Sequence, residues 1–380
     1  MPVKLALVFS GVHKRGGVER SIWEAARHWR HQHDVTIVAA DVDPTDLDGV
    51  AIRQVPAADG SGPYRFGKAA RRLYRLDEFD HVISFGVQPV PATIAWVGSV
   101  HLAWLEASRR FPGQSKLRHP MLRYLLRRHL ERLYLERQYF RAPGRALVVT
   151  VADAVGADLT RLYGVDPGLL ATINNGFDPA EFDPSRRERE FADARAEWGL
   201  PADAVVLCMI ANELPRKGYD LALRAIAAAG DPRLHLVLAG TADPARYRAL
   251  VAELGLTGRT HYLGQQADVG RVHAASDAFI LPTKYEAFCM AIVEALASGL
   301  PVLTTSVPGA GDLVQPDVNG LLLDDPEDVD ALTVLVRRIA DDDVRAGLAA
   351  AARPSVDQLT WAKLFDRAIT LFPEPSSIRR

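Results

Sequence analysis

With 380 residues, 48% of them hydrophobic, the chain is longer than one hydrophobic core usually grows and is expected to divide into two domains. A formal net charge of −2 excludes recruitment of nucleic acid or an acidic polymer by bulk charge. The only two cysteines, Cys208 inside an apolar run and Cys289 beside Glu286, give neither a disulfide framework nor a metal-ligand spacing, which fits a reducing cytosol.

The N-terminal MPVKLALVFSG has an apolar core shorter than a signal-peptide h-region, lacks its cleavage pattern, and reads as a first strand. No apolar run approaches the roughly 20 residues that span a bilayer. The runs KLALVFS, DVTIVAA, VAIRQV, HVISFG, VHLAW, ALVVTVA and LLATIN read as strands, and amphipathic helices fall between most of them. One is VERSIWEAARHWRHQ, where Ile22, Ala25, Ala26 and Trp29 recur on one face. From Asn174 to Glu190, NNGFDPAEFDPSRRERE replaces that periodicity with Pro, Asp and charge, and reads as an interdomain linker. A second set follows, with strands AVVLCMIA, LHLVLAG, THYLG, DAFILPT, PVLTTS and GLLLDD and helices such as GYDLALRAIAAA. This alternation predicts two doubly wound parallel-sheet lobes, residues 1–184 and 185–356, with the terminal helix 357–372 packing back on the first.

In such sheets ligands bind beyond the C-terminal strand ends, where helix N-termini attract anions. Three loops of that kind carry unusual residues. SGVHKRGGVER follows the first strand, and its Gly16 and Gly17 allow close backbone approach, although the G-x-G-x-x-G dinucleotide fingerprint is absent. ANELPRKGYD sets Arg216 and Lys217 side by side before a glycine and a helix, where a phosphate finds two cations. LPTKYEAFCMAIVEALASGLPVLTT carries Glu286 at a strand end and Glu294 in the next helix. A carboxylate accepts two neighbouring hydroxyls, so a sugar cis-diol suits either glutamate. The backbone N–H groups of Phe288, Cys289, Met290 and Ala291 between them suit a phosphate.

The combination of RKG with EAFCMAIVEALASGLPV, seven residues between the two Glu, resembles the retaining glycosyltransferases of family four, which have the GT-B fold. GGVER, NNGFDPAEFDP and RKGYDLALRAI also fall where that family has its Gly-rich loop, interdomain strand end and phosphate loop, and lipopolysaccharide-core glucosyltransferases are closest in look. The resemblance implies two Rossmann-like α/β domains facing each other across a cleft, the first binding the acceptor and the second a nucleotide sugar. Glu294 would then accept the ribose hydroxyls, Glu286 would hold the donor sugar, and Arg216 with Lys217 would neutralise the diphosphate. Gly16 and Gly17 would lie near the diphosphate and acceptor, and His101, read at a strand end, would lie near the reacting sugar. Two departures bear on this. Ala211 and Asn212 stand where many members have an Arg, which leaves the diphosphate to Arg216 and Lys217, and Cys289 replaces a Gly and so puts the donor sugar's identity in question.

The implied reaction needs no metal and no cofactor, only a UDP-sugar donor with a glycan, lipid-linked or natural-product acceptor. DVDPTDLD, LDDPEDVD and DDD are expected to be N-caps and turns, not D-x-D metal sites. The segment 108–145 holds eleven Arg or Lys against two Glu, and Leu122, Leu125, Leu126, Leu130 and Leu133 suggest a basic amphipathic helix that could rest on anionic lipid. The expected location is the cytoplasm, with peripheral contact at the inner face of the membrane. The rival readings are a nucleotide-sugar epimerase of the same shape and a non-enzymic two-lobed binding protein.

Overall fold

The computed structural model describes residues 2–56, 62–108, 121–141 and 147–374, with side chains between 121 and 128 left out. The chain forms two compact units, one running to Gly176 and resuming at Trp361, the other comprising Phe177–Thr360.

The first unit runs β1 (Lys4–Val8), β2 (Gly11–Val12), α1 (Gly17–Trp29), β3 (Asp34–Ala39), β4 (Asp41–Val42), β5 (Ala51–Gln54), α2 (Pro63–Ala70), β6 (His81–Phe85), β7 (Ile94–Val97), α3 (His101–Ser108), α4 (Met121–Arg141), β8 (Leu147–Thr150), α5 (Asp153–Tyr163) and β9 (Leu170–Thr172). Seven strands pair in the order β5-β3-β1-β6-β7-β8-β9, every ladder parallel. Leu5, Ala6, Leu7 and Val8 are fully buried, as a parallel strand covered on both faces requires.

The second unit runs α6 (Arg186–Trp198), β10 (Val205–Ile210), α7 (Tyr219–Ala229), β11 (Leu234–Ala239), α8 (Arg248–Glu253), β12 (Thr260–Gly264), α9 (Val269–Ala274), β13 (Ala278–Leu281), α10 (Met290–Ala297), β14 (Val302–Thr305), β15 (Gly320–Leu323), α11 (Val329–Ala340) and α12 (Asp342–Val356). Its six strands are ordered β12-β11-β10-β13-β14-β15 and again all parallel. The chain then returns to the first unit as α13 (Trp361–Leu371). This helix packs on α1, with the Trp29 and Phe365 rings 5.3 Å apart and Trp29 Nε1 donating to the Phe365 carbonyl at 3.3 Å. The aromatic pair is buried, which ties a terminal segment down where it would otherwise fray.

Two expectations are corrected. VHLAW is not a strand: the strand is β7, a few residues earlier, and the apolar run after Gly98 and Ser99 forms the first turn of α3. Leu102, Ala103 and Leu105 are strong helix formers, and an apolar run of this length does not distinguish a strand from a buried helix. The segment from Asn174 to Glu190 contains the crossing between the units, at Gly176 and Phe177, but beyond that point it is not a linker. Phe177 and Phe182 are fully buried in the second unit's core, Phe177 N donates to the Leu359 carbonyl at 3.1 Å, and α6 starts at Arg186. Its Asp residues cap turns, Asp178 and Asp183 accepting from the backbone two residues on.

Candidate functional site

In each sheet the strand order reverses once, between β1 and β6 in the first unit and between β10 and β13 in the second. Loops leaving neighbouring strands at such a point diverge toward opposite faces and open a crevice, which is where open α/β sheets bind ligands.

In the second unit that position belongs to the loops after β10 and β13. Gly218, which precedes α7, has φ +74°, and a Cβ there would lie 2.1 Å from the Pro282 carbonyl oxygen. Only glycine permits this approach, and it brings the loops close enough for Lys284 N to donate to the Arg216 carbonyl at 2.9 Å. Glu286 then becomes the shared anion. Its Oε1 accepts from Arg216 Nη1 at 3.0 Å, Lys217 Nζ at 2.5 Å and Thr283 Oγ1 at 2.9 Å. Arg216 is further fixed by the Tyr285 carbonyl at 2.6 Å and by Glu213 at 2.7 Å.

The cluster is desolvated: the Glu286 side chain is 6% exposed, those of Arg216 and Lys217 17% and 12%. Burial works against the Lys217 ammonium, but the Glu286 carboxylate, accepting from it at 2.5 Å, holds its pKa above the ordinary lysine value. Burial pushes the Cys289 thiol up to about 11, so it is uncharged at neutral pH. Two cations thus face one buried carboxylate, while Glu213 is 60% exposed and well screened by water. All three donors meet on Oε1, and among the described residues no hydrogen bond is made to Oε2, which keeps an acceptor for a hydroxyl.

The structure therefore brings Arg216, Lys217, Glu286 and Cys289 together. It corrects the reading of the following loop at one position: the Cys289 N–H donates to the Gly309 carbonyl at 2.9 Å and is not available to a phosphate. Phe288 is half-buried, and Met290 and Ala291 are the first two residues of α10, where N–H groups precede any intrahelical acceptor, while Ile292 N donates to the Cys289 carbonyl at 3.1 Å. Glu294 lies one turn into α10 and is buried at 8% exposure. Thr283 was not expected; its hydroxyl, three residues before Glu286, was the available signal.

At the corresponding position of the first unit, a cavity of about 310 Å³ is lined by Phe9, Ser10, Val18, Gly86, Gln88 and His101 among others. Gly16, at φ +93°, ends the loop after β1, and Gly17 opens α1; neither lines the cavity, but the next residue, Val18, does. His101 begins α3 and does not end a strand. Burial, with Arg132 and His129 nearby, pulls its pKa down to about 4, so the ring is neutral at pH 7. The Gln88 side-chain oxygen is buried with no partner among the described residues.

The acidic runs behave as caps: Asp328 accepts from Ala331 N, Asp341 from Asp343 N and Val344 N, and Asp43 from Thr45 N. Much of the basic segment lies outside the described residues, including 109–120, 142–146 and the side chains of Leu122, Leu125 and Leu126. On the described part of α4, Leu130 and Tyr134 are about 60% exposed, and Leu133 is half-buried. Among the described residues no helix is long and apolar enough to cross a membrane.

Two Rossmann-like units, the second holding a paired-cation and carboxylate cluster at its strand reversal, are the parts of the GT-B fold. Comparison with known proteins agrees. Residues 190–354 match the model for glycosyl transferases group 1, and residues 15–181 match that for glycosyltransferase family 4. The chain belongs to the family-four glycosyltransferases, one of the two models falling on each half. A D-inositol 3-phosphate glycosyltransferase of Saccharomonospora viridis is 33% identical over 241 residues, covering 60% of this chain and 55% of that protein. The chain spans about half the length of the curated relatives it matches. Among solved structures, WaaG, a glycosyltransferase involved in lipopolysaccharide biosynthesis, has a TM-score of 0.76 at 20% identity, over 96% of this chain and 98% of that one. Anabaena HepE in complex with UDP and glucose has a TM-score of 0.73 at 18% identity, over 97% and 98%. At these identities the structures speak for the fold.

Proposed function

We propose that the chain is a retaining, metal-independent hexosyltransferase. It moves a glucose or N-acetylglucosamine-type sugar from a UDP-sugar to a hydroxyl of a glycan, glycolipid or natural product. The observation that carries this reading is the desolvated Arg216–Lys217–Glu286 cluster at the second unit's strand reversal, which supplies two fixed cations where a leaving diphosphate gathers charge. The solved neighbour bound to UDP and glucose supports the choice of donor.

In this mechanism Arg216 and Lys217 stay on Glu286 Oε1 and turn their remaining N–H groups to the diphosphate, with the N–H groups of Met290 and Ala291 completing the anion site. Glu286 Oε2 takes a donor-sugar hydroxyl and Glu294 the ribose diol. The bond from the anomeric carbon to the β-phosphate oxygen breaks, and the acceptor oxygen bonds that carbon from the same face. The acceptor's proton passes to the departing phosphate oxygen, so Glu286 is a binding group and not a nucleophile. Cations already in place remove the need for a metal. For the first unit, the roles of His101 and of the loop at Gly16 and Gly17 are those that the family resemblance implies. The protein works in the cytoplasm, and the exposed Leu130 and Tyr134 among arginines on α4 support peripheral contact with an anionic inner leaflet.

The test is a panel of nucleotide sugars and hydroxylated acceptors in EDTA, followed by UDP release and acceptor mass. A hexose mass gain with an unchanged anomeric configuration supports the reading. Epimerised donor without a mass gain, or an absolute requirement for divalent metal, contradicts it. Co-sedimentation with phosphatidylglycerol vesicles, abolished by 0.5 M salt, checks the membrane contact on the order of one Debye length.

A further inference from the structure

His101 is held twice, and both holds come from one face of α4. Its backbone N–H donates to Glu136 Oε1 at 2.5 Å, and that of Leu102 donates to Oε2 at 3.2 Å. Glu136 thus satisfies two of the orphan donors of the first turn of α3 from outside the helix. The carboxylate is 3% exposed and takes a third donor, the Tyr163 hydroxyl on α5, at 2.5 Å. The ring of His101 is held separately. Its Nε2 lies 2.8 Å from His129 Nδ1, the two rings stack with centroids 5.0 Å apart, and Trp104 stacks on the His101 ring at 5.6 Å.

His129, Arg132 and Glu136 are three and four residues apart, which puts them on one face of α4. Arg132 and Glu136 line the cavity with His101. Leu130, Tyr134 and Arg137 lie on the rest of the helix, and all three are exposed. A neutral imidazole carries one N–H, so in a neutral pair one ring donates and the other accepts across the 2.8 Å contact. Whichever ring donates, His129 settles which hydrogen-bonding role the second nitrogen of His101 is left with. Helix capping alone would need only Glu136. The second hold acts on the ring, and it fixes both orientation and protonation.

We infer that His129 and Glu136 are positioning residues for His101, Glu136 fixing the backbone at the start of α3 and His129 fixing the orientation and tautomer of its imidazole. The inference rests on the reading of His101 as a group at the reacting sugar. The function of His129 lies in its nitrogen and not in its bulk, which separates it from a packing role. His129→Phe keeps a ring against Trp104 and His101 and loses the hydrogen bond, while His129→Asn loses the ring and keeps a polar atom near the Nδ1 position.

The experiment uses the full chain and UDP-glucose, with UDP release as the readout and thermal unfolding as the control. His101→Ala is expected to lower turnover strongly. His129→Phe is expected to fold normally, to keep donor KM within about two-fold, and to lower kcat about ten- to a hundred-fold; His129→Asn is expected to recover most of that loss. Glu136→Ala is expected to lower kcat, and Glu136→Gln to restore part of it, since an amide oxygen still accepts one backbone N–H. If His129→Phe turns over like the wild type while His101→Ala does not, the inference fails and the reading of His101 stands. If His101→Ala is itself fully active, both fail. A wild type inactive on UDP-glucose moves the test to histidine-labelled nitrogen NMR. There His129→Phe must shift the His101 ring nitrogens and Glu136→Ala the His101 amide beyond the change at other histidines, and unchanged shifts overturn the inference.

Discussion

The two strand reversals share a topology and differ in charge. In the second unit two cations are buried against one carboxylate, held there by loops that meet through Gly218. In the first unit the cavity contains an imidazole kept neutral by burial and the buried carboxylate of Glu136, whose bonds are all directed at orienting its neighbours. The same architectural position holds two cations on one carboxylate in one unit, and a neutral imidazole beside Arg132 and Glu136 in the other. The difference comes from the loop residues, since each sheet offers the same crevice.

The most disruptive way to probe this contrast is Glu286→Ala. It leaves Arg216 and Lys217 buried without their shared counter-ion, and removing one partner of a buried pair costs about 3–5 kcal/mol. Thermal unfolding should fall accordingly, and added UDP should recover part of the loss by supplying an anion. Recovery by glucose instead of UDP would break the comparison. Next in size is Gly218→Ala, where a Cβ meets the Pro282 carbonyl at 2.1 Å in a left-handed backbone. A loss of about 2–3 kcal/mol is expected in denaturant unfolding, with donor binding falling in parallel.

Glu294→Ala, which deletes charge-assisted bonds worth about 1.5–3 kcal/mol, should lower donor kcat/KM by roughly 10- to 150-fold. Unchanged donor kinetics would remove Glu294 from the site. The smallest effect is the pH dependence of His101. Its folded pKa, about 4, lies below the ordinary 6.5, so the folded state binds fewer protons than the unfolded chain in that interval. The stability contributed by neutral His101 is present above about pH 6.5 and is lost as pH falls toward 4. His101→Gln should therefore flatten the decline of stability over that window, measured by urea unfolding at a series of pH values. An identical decline in both proteins would show that His101 is not held neutral.

The strands of both sheets other than β7 were legible because period-2 and continuous apolar runs report burial directly, as in VVLCMI and LHLVLA. Arg216, Lys217 and Glu286 could be placed at strand ends from the same pattern. Their mutual pairing could not, because it depends on the close approach at Gly218 and Pro282, residues 64 positions apart in the chain. His129 and Glu136 were read only as parts of a basic helix. Their three- and four-residue spacing is visible, but the partner of that face is fixed by how α4 packs beside α3 and α5. VHLAW and the Phe177 and Phe182 region misled for related reasons: a short apolar run fits two structures, and isolated aromatics among charges carry no period.

On the proposed mechanism the second unit grips a nucleotide diphosphate through Arg216 and Lys217 without metal. Calorimetric titration of UDP in EDTA, into the wild type and into Arg216→Met with Lys217→Met, tests it directly. Saturable, salt-sensitive binding to the wild type and its loss in the double variant is the predicted result. Equal affinity for both proteins would contradict the account.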